Sequence, residues 1–222
     1  MRLRRFGMAA AVALAATALT VSPTAFAGTL TWDFEGGASD WAAPNGTWEV
    51  NGGVYQEVSG ADPAMHSVVG DADWDDYVIN AKVRLDGAGQ WAGIVFRAQS
   101  DFEYYVYYLN VPNNKSELWK HNDGAFDARE NLNDIPGVGI LIENDVFHEV
   151  QVVIEGDAFE LWVDNELQSQ DSDASYASGQ VGVWAWATTA SFDDFSVTAD
   201  FITPVEAQGK LATAWGELKD VR

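Results

Sequence analysis

The chain has 222 residues, of which 47% are hydrophobic and 13% aromatic, enough for one sizeable domain with its own core. Its 34 acidic residues outnumber 12 Lys and Arg, giving a formal net charge of −22, a surface that repels phosphate backbones and anionic lipid headgroups. Nucleic acid and membrane surfaces are therefore excluded as expected partners, while neutral ligands and divalent cations are not; with no cysteine, no disulfide staples the fold.

The first segment, MRLRRFGMAAAVALAATALTVSPTAFA, combines Arg2, Arg4 and Arg5 with an apolar run over about residues 8–21 and the small-x-small end Ala25-Phe26-Ala27. It reads as a secretory signal spanning 1–27, cleaved after Ala27, because the apolar run is shorter than the roughly 20 residues a bilayer requires. The mature chain is expected to be secreted, in the periplasm or beyond, and to insert no other segment into a membrane.

Strands dominate from residue 28 to about 200. In YVINAKVRL (77–85) Tyr77, Ile79, Ala81, Val83 and Leu85 share one face and Val78, Asn80, Lys82 and Arg84 the other, the alternation of a half-buried strand. WAGIVFRA, YYVYYLNV, FHEVQVVIEG, AFELWVDNELQSQ and GQVGVWAWATT are likewise rich in β-branched and aromatic residues. NGG, DGAG, NDG, EGD and VDNE supply the turns between them. About a dozen short strands without amphipathic helices between them predict an all-β, antiparallel two-sheet jelly-roll sandwich. After residue 200 the composition changes: 201–209 reads as a linker and 210–222 as a short amphipathic helix carrying Leu211, Trp215 and Leu218.

Several strand faces carry ligand-binding chemistry. The period of two in VGVWAWA puts Val181, Val183 and Ala185 towards the core, and Trp184 with Trp186 opposite, a stacking platform for a neutral sugar. Gly93, Val95 and Arg97 share a face, so the Arg97 guanidinium is a candidate fork for paired hydroxyls. Tyr105 and Tyr107 alternate with Tyr104 and Tyr108, so one pair faces outward, and Trp119 shares a face with Glu117 and His121. Arg97, Tyr105, Tyr107, Trp119, Trp184 and Trp186 are therefore the ligand-binding candidates. His148 alternates with Val150 and Val152 and reads as a core or sheet-edge residue.

The ordered series WDFEGGASDW, GTWEVNGGVYQ, DYVINAKVRL, WAGIVFRAQSDFEYYVYYL, FHEVQVVIEGDAFELWVDNELQ, SGQVGVWAW and SFDDFSVT resembles the concanavalin A-like lectin and glucanase jelly rolls. It is most similar to the laminin-G-like and 3-keto-disaccharide hydrolase-like domains of exported bacterial proteins. The resemblance implies first and last strands lying side by side with a structural calcium ion there. Glu35, beside Gly36 and Gly37, and Asp193 or Asp194 are the expected carboxylate ligands. It also implies a module that binds a neutral glycan or an extracellular protein, with a glycoside hydrolase or a non-catalytic adhesion spacer as alternatives. No E-x-D-x-x-E strand motif, zinc motif or serine triad supports catalysis, and no catalytic residue is assigned.

Overall fold

The structure, a computed structural model, describes residues 28–62, 64–122, 128–137 and 139–202; the signal-like segment and the amphipathic tail lie outside them. In chain order its strands are β1 (Gly28–Trp32), β2 (Trp48–Asn51), β3 (Val54–Glu57), β4 (Met65–Val69), β5 (Tyr77–Asp86), β6 (Trp91–Ser100) and β7 (Glu103–Asn110). They continue as β8 (Lys115–His121), β9 (Glu130–Pro136), β10 (His148–Glu155), β11 (Ala158–Val163), β12 (Glu166–Ser172), β13 (Gln180–Trp186) and β14 (Thr189–Ala199).

These strands form two antiparallel sheets, one ordered β12-β11-β10-β5-β14-β3-β2 with β1 also on β14, the other β4-β13-β6-β7-β8-β9. The chain is thus an all-β jelly-roll sandwich. Since β5 holds one edge of β14, β1 and β3 share the other, pairing with residues 195–199 and 190–192 respectively. First and last strands are neighbours.

Alternation builds the core. On β5 every second residue from Tyr77 to Leu85 is buried, and these meet Val150, Val152 and Ile154 of the same sheet and Ile94, Phe96, Val181 and Val183 of the other. The hairpin β11–β12 closes at Asp164-Asn165, both with positive φ (50° and 64°), as a two-residue turn of the primed type demands. Asp164 also binds the ring of His148, which is buried: Nδ1 lies 2.8 Å from Asp164 Oδ2 while Nε2 accepts the Glu143 N–H, so the proton resides on Nδ1. Ile202, just past β14, is buried in the same core.

The segment Phe192-Asp193-Asp194-Phe195 breaks the alternation. Asp193 pairs with Lys82 and Ser196 with Asn80, so three steps on β14 oppose two on β5, a β-bulge with Asp194 at φ 46°. The extra residue turns both Phe192 and Phe195 inward, where both are fully buried. Two adjacent acids inside an aromatic strand are the solvent side of that bulge.

Candidate functional site

The outer face of the six-stranded sheet carries a second hydrophobic cluster, separate from the inter-sheet core: Val68, Val95, Val106, Tyr104, Tyr108 and Trp184, with Trp91, Trp119 and Trp186 packed on it. Registry explains how these residues meet. His66 on β4 opposes Trp184 on β13, Trp184 opposes Gly93 on β6, Gly93 opposes Tyr108 on β7, and Tyr108 opposes Glu117 on β8. Gly93 has no side chain to separate its neighbours, and a Cβ there would fall 2.4 Å from the Tyr108 Cα. Trp184 and Tyr108 therefore stack across it, centroids 5.0 Å apart and planes at 14°.

A buried carboxylate fixes this floor. Glu117 receives Tyr108 Oη at 2.8 Å, Asn110 Nδ2 at 2.5 Å and Trp119 Nε1 at 2.8 Å, and Lys115 Nζ lies 3.1 Å away. With its acceptors occupied, Glu117 holds rings in place. Burial first, and then the charge of Glu117, push the Tyr108 hydroxyl far above the usual phenol range.

Beside it Tyr104 stacks on His121 (4.4 Å, 16°) and packs against His66 (5.1 Å). Burial lowers the His66 pKa to about 4 against the pull of Asp101. Burial, Arg129 and His66 together lower that of His121 to about 3. Both imidazoles are therefore neutral near pH 7, and His66 Nδ1 is shielded without a hydrogen-bond partner.

Above the floor sit the half-buried rings. Trp91 stacks on Trp186 at 4.9 Å, Trp186 Nε1 donates to Asp62 at 2.5 Å, and the Arg129 guanidinium lies 4.7 Å from the ring centres of both Trp119 and Trp186. Aromatic faces flanked by a guanidinium and a carboxylate can stack against a sugar ring and exchange hydrogen bonds with its hydroxyls.

The structure divides the six residues expected to bind ligand. Trp184, Trp186 and Trp119 come together on this face, but Trp184 is 0% exposed, so it forms the floor and not a platform. Tyr105 and Tyr107 point into the inter-sheet core; Tyr104 and Tyr108 are the outward pair. Arg97 leaves the face altogether. Its φ of 50° at a register shift turns the side chain to the end of the sandwich, where its guanidinium donates to the carbonyls of Tyr176, Asp75 and Gly156. The sequence reading missed Trp91 and Arg129, although the parity that put Gly93 and Val95 on one face also places Trp91 on it.

The expected calcium ligands are engaged otherwise. Asp194 Oδ2 lies 2.5 Å from Lys82 Nζ, Asp193 Oδ1 accepts the Asp194 N–H, and the Glu35 carboxylate occupies the space a Cβ on Gly53 would need. Among the described residues no three acidic or histidine side chains converge on one point.

Residues 29–203 match the family described as the 3-keto-alpha-glucoside-1,2-lyase-like domain. A levanase of Bacillus subtilis (strain 168) is 23% identical over 167 residues, 74% of this chain but only 23% of the levanase. Among solved structures, carbohydrate binding module CBM66 from Bacillus subtilis superposes with a TM-score of 0.63 at 20% identity, covering 71% of this chain and 94% of that module. Domain 4 of AbnA, a GH43 extracellular arabinanase from Geobacillus stearothermophilus solved with arabinotriose, gives 0.54 at 9% identity, covering 79% and 94%. At these identities the solved structures establish the shared fold.

Proposed function

The chain belongs to the 3-keto-alpha-glucoside-1,2-lyase-like domain family, and from that premise we propose that it is an exported module that binds a neutral glycan on the outer face of its six-stranded sheet. The observation that carries this reading is the layering of that face: half-buried Trp91, Trp119 and Trp186 with Arg129 over a floor of buried Trp184 and Tyr108. Solvent-facing indoles held rigid by a packed layer lose little entropy when a sugar stacks on them. The acidic surface favours uncharged saccharides, and the signal-like N-terminus accords with an exported chain.

Levan, the polymer named by the levanase relative, and arabinotriose, found on the arabinanase domain, are the first probes. Calorimetric titration of Trp186→Ala is expected to show at least tenfold weaker binding with a nearly unchanged Tm. Absence of binding to either probe by the parent protein, or equal binding by the variant, overturns the reading.

The family name supports a second reading, elimination across C1–C2 of a 3-keto glucoside. Such a step passes the C2 proton, made acidic by the neighbouring ketone, to a base and breaks the C1–O bond, the departing oxygen leaving as an alcohol once it takes up a proton. Turnover of a 3-keto glucoside by the parent protein would favour the lyase; no turnover, with glycan binding intact, favours the module. Failure of both assays leaves a non-catalytic spacer.

A further inference from the structure

The opposite side of the sandwich holds a recess of about 330 Å³ on the outer face of the eight-stranded sheet, lined by Asn80, Lys82, Glu149, Gln151, Trp162 and Asp194 among others. We propose that this recess is a second saccharide site, built on Trp162 and the Gln151–Asn80 amide pair, which takes one ring of an uncharged sugar and makes the molecule bivalent.

Registry again sets the arrangement. Trp162 on β11 opposes Gln151 on β10, Gln151 opposes Asn80 on β5, and Asn80 opposes Ser196 on β14, so one row crosses four strands. The next row sets Glu149 against Lys82 and Lys82 against Asp193. The bulge at Asp193-Asp194 ends the recess on the β14 side, where Asp194 holds Lys82 at 2.5 Å. On the opposite flank Asn165 Nδ2 donates to Glu149 Oε2 at 3.2 Å.

The chemistry is that of polyol recognition. Trp162 is half-buried beside the polar row of Gln151 and Asn80, and its Nε1 is shielded and has no partner, which costs free energy until an acceptor arrives. Gln151 Nε2 donates to Asn80 Oδ1 at 2.7 Å, which orients both amides and leaves the Asn80 NH2 and the Gln151 carbonyl to a ligand. A ring face, two fixed amides, a carboxylate acceptor and an ammonium donor match the alternating donor and acceptor edge of a sugar. Two carboxylates against one ammonium disfavour an anionic ligand.

This site does not depend on the other face, from which the two sheets separate it. A single module with two weak sites on opposite faces holds polysaccharide by avidity, and it cross-links chains.

The test uses the full chain labelled with 15N, titrated with sucrose and with arabinotriose at millimolar concentration and followed by the indole and side-chain amide resonances. Saturable shifts of the Trp162 indole and of the Asn80 and Gln151 amides are expected in the parent protein and, unchanged, in Trp186→Ala. Gln151→Ala, at a half-exposed position, should raise by at least tenfold the sugar concentration needed to shift the Trp162 indole and Asn80 amide and leave the Trp91 and Trp119 resonances as responsive as before; Trp162→Ala should abolish the shifts of the Asn80 and Gln151 amides. Shifts confined to the Trp91, Trp119 and Trp186 signals, or none at Trp162 with either sugar, overturn the proposal. Movement at Trp162 with none at Trp186 would sink the first site and the bivalency that rests on it, leaving this recess the saccharide site.

Discussion

Arg97 and Trp184 are large side chains that the interior holds for different reasons, so truncating each reports a different term. Arg97 is 1% exposed and its guanidinium ties three backbone carbonyls from the loops at Asp75, Gly156 and Tyr176, with Asp76 at 3.7 Å. Arg97→Lys keeps the charge but replaces a planar fork by one ammonium that cannot reach all three carbonyls, and we expect about 3 kcal/mol lost in urea unfolding. Trp184 is held by packing: Trp184→Ala removes the ring beneath Tyr108 and should cost about 3 to 5 kcal/mol. Trp186→Ala, at a half-exposed position, forfeits its stack on Trp91, its bond to Asp62 and its contact with Arg129, about 1 kcal/mol for contacts open to solvent. If Trp184→Ala were as mild as Trp186→Ala, the floor would be loose and the layered site would lose its basis.

At the scale of the strand, the bulge on β14 makes a prediction that runs against intuition about deletions. Removing Asp194 restores Phe-Asp-Phe alternation, leaving Phe192 and Phe195 both inward, so the deletion variant should fold and lose only the Lys82 pair and the local bend. Deleting Ser196 instead puts Val197 and Ala199 on the wrong face opposite β1, and should abolish cooperative unfolding. Circular dichroism melts of the two variants decide the matter; equal damage from both would show that the bulge itself is required. The same logic marks what sequence could disclose. Strands with strict alternation, β5 and β13 above all, were legible, including which face of β13 bears tryptophan. β9 was not, because ENLNDIP buries only Ile135 fully and has no period to detect. Arg97 misled because a register shift changes parity by one, and parity was the only guide to its facing. Tyr104 and Tyr108 against Tyr105 and Tyr107 was a choice that alternation poses but does not answer, since both faces of β7 are buried. The Gly93 floor became meaningful only once the register placed Trp184 and Tyr108 on either side of it.

For the molecule as a whole, acid sets two electrostatic effects against each other. As pH falls, carboxylates neutralise and the repulsion within a chain of net charge −22 weakens, which favours the folded state. The buried imidazoles act the other way. His66, packed on Tyr104 and facing His121, with Asp101 and Arg129 contributing to the local field, has a folded pKa of about 4. The unfolded chain, with an ordinary histidine pKa near 6.5, binds the proton first, so stability is full above about pH 6.5 and declines as pH falls towards 4. Below that value His66 protonates in both states and its contribution to the slope ends. Asp173 then takes over: burial alone would raise its pKa, but bonds from Ser175, Tyr105 and Lys120 outweigh that and hold it well below the usual carboxylate range. Its stabilisation is present above an unfolded carboxylate pKa near 4 and fades only at lower pH. The two groups thus occupy separate windows. His66→Phe keeps an aromatic ring against Tyr104 and removes the titration, so between pH 6.5 and 4 its unfolding free energy should fall by less than that of the parent, the difference reaching about 3 kcal/mol at the acid end. His121 remains in the variant and preserves part of the slope. Urea unfolding of both proteins at several pH values across this window measures the gap. Parallel curves would mean that His66 is protonated as readily in the folded chain as in the unfolded one, and the neutral floor of the aromatic face would have to be abandoned.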